Sequence, residues 1–308
     1  MKNHNFIYKI QSQIIGLLLI SSAMFGQQDP QYTQYMYHMN VVNPAYAGSN
    51  ESLSIGLLGR TQWVGLNGAP KTATFSAHAP MGNNIGMGLS VMADEIGPLK
   101  ETNVYADFSY TIQTSENSKL AFGLKGGLTF HDLGLATLAT VLPDVNFSEN
   151  TNRIYPNFGV GVFYYTDKFY LGASLPNIIE SNHFERSGGI ISKASEKMHY
   201  FLTSGFVFNL SDRLKFKPSF MAKTAVGTPI SVDVSTNFLI DERLELGTSY
   251  RLDDAVSALI NFAINKNLRI GYAYDYTVSN IGQFNSGTHE VILLYDFRKI
   301  KYKSPRFF

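Results

Sequence analysis

Of the seven histidines in the chain, His78, His131, His183, His199 and His289 are placed to act as general bases, provided a nucleophile and a polarising partner lie beside them. No Gly-x-Ser-x-Gly elbow accompanies them. His289-Glu290 opens like a zinc-helix motif but lacks the second histidine and lies in a strand pattern. Gly126-Gly127 and Gly159-Val160-Gly161 precede no strand-to-helix transition, so they read as small strand-packing residues rather than phosphate cradles. The absence of cysteine removes disulfides, thiolate metal sites and thiol nucleophiles together. No enzymatic activity, catalytic residue, metal site or cofactor is expected.

What remains is charge, and its placement is regular. Arg60, Asp107, Lys125, Asp233, Glu245, Arg251, Arg269 and Asp275 each sit between apolar or aromatic neighbours, at alternate positions of short runs. In Asn267 to Thr277, NLRIGYAYDYT, the residues Leu268, Ile270, Tyr272, Tyr274 and Tyr276 alternate with Arg269, Gly271, Ala273, Asp275 and Thr277. Side chains of a strand alternate between its faces, so one face of this segment is aromatic and the other small and charged.

The same period of two recurs in fourteen segments, which begin near Ser52, Lys71, Ile85, Asn103, Leu120, Asn157, Phe169, Tyr200, Leu214, Ile230, Arg243, Val256, Leu268 and Thr288. Most are about ten residues long, enough for a tilted strand to cross a bilayer, and a closed antiparallel bacterial barrel takes an even number. The second, fourth, sixth and later even-numbered joints are short and rich in Asn, Asp, Ser or Gly, whereas the longest, His131 to Tyr155 and Asn177 to Lys197, are odd-numbered. That sorting fits tight periplasmic turns alternating with longer outer loops, and it puts both termini in the periplasm. The fold expected is all-β: a transmembrane antiparallel barrel of about 14 strands, with the aromatic face toward lipid and the eight charged residues lining the lumen. A soluble sandwich or lipocalin-like barrel is the competing fold, but it would leave those charges on one face of long strands and rings on the other.

Composition agrees with a membrane setting. Charged residues make up 16% of the chain and aromatic residues 13%, so many rings lack a watery place to face. Residues 1–26 read as a signal peptide, with Lys2 and Lys9 before an apolar run and small residues near Gly26. Its removal leaves 23 basic against 24 acidic side chains, with no basic cluster for nucleic acid.

The division expected is a signal peptide (1–26), a periplasmic segment (27–51), the barrel (52–297) and a periplasmic tail (298–308). The segment Gln27 to Asn50 has no clean period and is rich in tyrosines and amides. Gln31, Tyr32, Gln34, Tyr35, Asn43 and Pro44 make it a candidate partner-binding segment, with a lumen plug as the other reading.

Asp29-Pro30-Gln31-Tyr32-x-Gln34-Tyr35-Met36, Val42-Asn43-Pro44-Ala45-Tyr46-Ala47-Gly48, Arg60-x-Gln62-Trp63, Gly271-Tyr272-x-Tyr274-Asp275 and Ser304-Pro305-Arg306-Phe307-Phe308 together resemble the PorP/SprF-type outer-membrane proteins of the type IX secretion and gliding apparatus of Bacteroidota. The resemblance implies an outer-membrane barrel that binds, and helps export or retain, a large secreted adhesin through its C-terminal sorting domain. Its implied partners are that adhesin, periplasmic components of the machine, and lipid. A diffusion porin is the alternative function.

Overall fold

The structure, a computed structural model, describes residues 31–50, 52–134, 150–179, 182–187, 190–195 and 198–297. The expected signal peptide and the tail 298–308 lie outside the described residues.

Fourteen antiparallel strands form one closed sheet. They are β1 Ser54–Thr61, β2 Lys71–Pro80, β3 Ile85–Ile96, β4 Leu99–Ser115, β5 Ser118–Leu133, β6 Thr151–Thr166 and β7 Phe169–Leu175. The circle continues with β8 His199–Phe206, β9 Leu214–Ala225, β10 Ser231–Ile240, β11 Leu244–Arg251, β12 Ala255–Ala263, β13 Leu268–Thr277 and β14 Thr288–Asp296. Each strand pairs with its neighbours in sequence, and β1 closes the ring on β14 through pairs that run from Ser54 with Asp296 to Thr61 with His289. A closed sheet leaves no unpaired edge, which is the condition for strands to cross hydrocarbon.

Period-two alternation sets the two faces. Phe108, Tyr110, Phe122, Leu124, Ile260, Ile270, Tyr272 and Tyr276 are exposed on the outside, whereas Asp107, Lys125, Asn261, Arg269 and Asp275 are buried within. Among the described residues no helix is long and apolar enough to cross a membrane. The outside of the turn-bearing end carries an arc of rings from Tyr164 through Phe169, Phe206, Phe208 and Phe216 to Phe238. Aromatic rings suit the boundary between lipid and water.

Not every ring faces outward. Tyr105, Phe163, Tyr165 and Tyr170 are buried inside the barrel, where Phe163, Tyr165 and Tyr170 belong to its core cluster. The structure also adds a hairpin, Asn182–Ser187 paired with Ile190–Ser195, inside the joint between β7 and β8 that was expected to be a plain loop. At the opposite end, Arg213 donates to both carboxylate oxygens of Asp241, at 2.5 and 2.7 Å, and so clasps two adjacent turns. Those hydrogen bonds hold the Asp241 carboxyl below its ordinary range, although so exposed a pair adds little stability.

Leu124 is 59% exposed and Phe108 42%, each near the middle of its strand. Leu124→Lys or Phe108→Lys is expected to cost about 2 to 4 kcal/mol of folding stability in lipid. Urea titration of refolding into vesicles measures this, with Asn117→Lys in an exposed turn expected to match the parent.

Candidate functional site: a plug bonded to the barrel wall

The segment 31–50 fills the bore. It is built from a 3-10 turn at Tyr35–Tyr37, a single α-helical turn at Met39–Val42 and a second 3-10 turn at Pro44–Tyr46. The last of these has a local cause. Asn43 is its N-cap, the Asn43 side-chain Oδ1 accepts from Ala45 N at 3.0 Å, and Pro44 occupies the first helical position, where no N–H is needed.

Turns this short leave most of their N–H and C=O groups without partners inside the segment, and burial makes each unpaired group costly. Wall side chains supply the partners. Glu290 accepts from Thr33 N at 2.9 Å and Gln34 N at 2.8 Å. At the end of the helical turn, Lys125 Nζ donates to Val41 O at 2.8 Å and Ser174 Oγ to Val42 O at 2.9 Å. Asn43 Nδ2 donates to Val162 O, Ser109 Oγ donates to Ala47 O at 2.6 Å, and Gly48 N donates to His78 Nδ1 at 3.2 Å.

Charges around the plug are paired. Arg60 bridges Asp275 at 2.8 Å and Glu290 at 3.0 Å, and Thr33 Oγ1 donates to the Asp275 carboxylate at 2.8 Å. Lower in the bore Tyr37 donates to Glu245, which also accepts from Asn237 at 2.7 Å and faces Arg269 at 3.7 Å. Lys217 Nζ lies 4.6 Å from the centre of the Tyr37 ring and donates to its hydroxyl. Asp107 stands 3.6 Å from Lys125. Asp233 and Arg251 pair across β10 and β11 at 2.9 Å. Of the eight charged residues singled out in the sequence, Arg60, Asp275, Lys125 and Glu245 therefore touch the plug, Asp107 and Arg269 stand behind them, and Asp233 with Arg251 form a pair within the wall.

Shape matches this chemistry. A Cβ on Gly123 would lie 2.1 Å from Ala45 N, and one on Gly161 would lie 2.1 Å from Asn43 Oδ1. Both are inward positions, so glycine there lets the plug backbone rest against the wall. Tyr46 completes the fit, its ring edge-on to His78 at 5.3 Å and Phe163 at 5.2 Å.

Gln34, Tyr35, Asn43 and Pro44, offered by the sequence as partner contacts or as a plug, are buried against the wall. Gln31 and Tyr32 border a cavity of about 50 Å³ together with Val41, Met92, Phe201 and Lys223. A larger cavity of about 260 Å³ opens at the turn-bearing end beside Ala47, Gly48 and Asn84. Sequence reasoning missed Glu290, noticed only for its failed metal motif. Its signal was present, since Glu290 stands opposite Arg60 on the inward face, whereas His289 points outward with its Nδ1 2.6 Å from Tyr272 Oη. Among the described residues, no group of three or more His, Asp or Glu side chains is arranged to hold a metal ion.

A family described as "Type IX secretion system membrane protein PorP/SprF" matches residues 24–295, a range that takes in the plug and all but the last residue of β14. The chain belongs to the PorP/SprF family. Family and closed barrel together place this PorP/SprF protein in the outer membrane. No curated protein matches it. It is similar to the solved Acinetobacter baumannii outer membrane protein Omp33, at 9% identity and a TM-score of 0.47 over 80% of this chain and 99% of that one. A Pseudomonas aeruginosa FadL homologue shares 13% identity with a TM-score of 0.48, covering 89% of this chain and 96% of its own. The CymD monoaromatic hydrocarbon channel shares 12% with a TM-score of 0.49, covering 90% and 97%. These likenesses are too distant to carry a residue role or a ligand across.

Glu290→Gln keeps the shape of the PorP/SprF plug seat but removes the charge that two plug N–H groups and Arg60 share. Hydrogen bonds to a charged group contribute about 1.5 to 3 kcal/mol, so the Thr33 and Gln34 amides are expected to exchange with deuterium roughly 10- to 100-fold faster. Gly123→Val and Gly161→Val are expected to unseat the plug while the barrel still forms, read as raised single-channel conductance. Gly59→Ala, where a Cβ would meet nothing within 4 Å, is expected to behave as the parent.

Proposed function

We propose that this PorP/SprF barrel is a binding component of the type IX secretion and gliding machinery, which helps export a large secreted adhesin or retain it at the surface by gripping its C-terminal sorting domain. The reading takes the long joints as outer loops and the tight turns as periplasmic. Under it the barrel has no catalytic residue, and the plug keeps the bore occupied while the partner is engaged at a mouth of the barrel.

The observation that carries the proposal is the bonded plug, in a chain whose family serves type IX secretion. A pore for free diffusion gains nothing from anchoring a segment to β1, β5, β7, β13 and β14. A holder gains a rigid frame that keeps both mouths in shape. With Gln34, Tyr35, Asn43 and Pro44 turned to the wall, docking falls to the mouths: to the loop-bearing rim, where Gln31 and Tyr32 border a cavity, and to the turn-bearing rim, which faces the periplasmic components.

Deletion of the gene, followed by fractionation of outer membrane and medium and mass spectrometry, tests this directly. One large adhesin is expected to leave the cell surface for the medium or the periplasm while other cargo stays. Loss of all sorting-domain cargo would make the barrel a core component of the export route. Unchanged cargo together with reduced uptake of small solutes would overturn the proposal in favour of a porin.

A further inference from the structure

We infer that the plug is threaded through its own barrel from the loop-bearing mouth to the turn-bearing mouth, so that Gln31 and the start of β1 stand toward opposite ends. The contacts at the two ends of the plug carry this. Tyr32 Oη lies 3.0 Å from Thr74 Oγ1, on the fourth residue of β2, and Thr33 is held by Asp275 and Glu290, each two residues from the long joint between β13 and β14. Val41 then meets Lys125 in the middle of β5, and Ala45 lies against Gly123 two residues lower. A Cβ on Gly86, the second residue of β3 beside a tight turn, would strike Ala47 O at 2.1 Å. Gly48 reaches His78, two residues from the turn that ends β2, and Asn50 Nδ2 donates to Ser54 Oγ at 2.7 Å, where β1 begins.

Tyr37 dips to Glu245, beside a tight turn, before Val41 returns to the middle of β5, but the net course runs from Thr33 near the long joint to Asn50 at the start of β1. An even number of strands returns the end of β14 to the mouth where β1 starts, and Phe297 N accordingly donates to Leu53 O at 2.8 Å. The plug adds one further crossing, which makes the total odd. Gln31 and Phe297, the first and last described residues, therefore lie toward opposite mouths. On this inference the leading end stands toward the loop-bearing side, whereas the sequence pattern puts both termini in the periplasm.

The inference deepens the proposed function and rests on its orientation of the loops. With the loops outward, a partner that grips Gln31 does so from the cell surface, and the periplasmic machine meets instead the turns and Phe297.

The chain has no cysteine, so single-cysteine variants report without background. Gln31→Cys, and separately a short cysteine-bearing tag inserted directly before Gln31, are compared with Pro229→Cys, exposed in the joint between β9 and β10 at the loop-bearing end, and Asn117→Cys in a tight turn at the other end. A bulky maleimide that cannot cross the outer membrane is applied to intact and to opened cells, with heat-modifiable mobility checking that each barrel has formed. The tag is expected to react from the same side as Pro229→Cys and opposite to Asn117→Cys, with Gln31→Cys following it where reagent reaches so deep. A tag that reacts from the Asn117→Cys side, or from neither side, overturns the threading. If Pro229→Cys reacts only in opened cells and the tag still follows it, the threading stands and the outward orientation of the loops fails.

Discussion

A buried backbone must find partners for its amides, and the most informative contacts in this barrel follow from that requirement. In the wall each strand satisfies its neighbours, but the segment across the bore has no ladder to join and is too short in each turn to bond itself. The strands therefore lend it side chains. Glu290 serves two amides, Lys125 and Ser174 serve carbonyls at the end of the helical turn, and Asn43 bonds outward to the wall and inward to its own turn.

Charge inside the barrel takes its meaning from this arrangement. An ion buried without a partner costs several kcal/mol, and removing one member of a buried pair is correspondingly destabilising. Arg60 is acceptable because Asp275 and Glu290 both face it, and those two carboxylates can lie side by side because the guanidinium and the plug donors stand between them. Asp107 and Lys125 form a smaller version, in which the lysine also finds backbone carbonyls. The polar interior thus holds a segment bonded to the wall, in contrast to the water-lined channel that the same alternation produces in open porins.

Much of the wall was legible in the sequence. All fourteen starting points fell within a few residues of the observed strands except at β4 and β6, whose leading ends Leu99–Thr102 and Thr151–Pro156 extend toward the loops without clean apolar alternation. The inward direction of Arg60, Asp107, Lys125 and Asp275 followed from parity alone. The plug's conformation was not legible, because three turns of three or four residues are too brief to show a period, and its partners lie as far as 257 residues away in sequence. Rings such as Phe163 and Tyr170 broke the rule that aromatics face lipid because the plug offers them a second apolar surface. Glu290 escaped notice since its importance depends on Arg60, a neighbour only once the ring has closed.

That closure gives the upper end of the plug a special standing. Its seat is shared by β1, β13 and β14, the first strand and the last two to be made, and Arg60 faces Glu290 only when the final pair has zipped in register. A cylinder closed one residue out of step would turn one of the two toward lipid. The seat of Thr33 and Gln34 therefore works as a gauge: it fits only a wall sealed in this register.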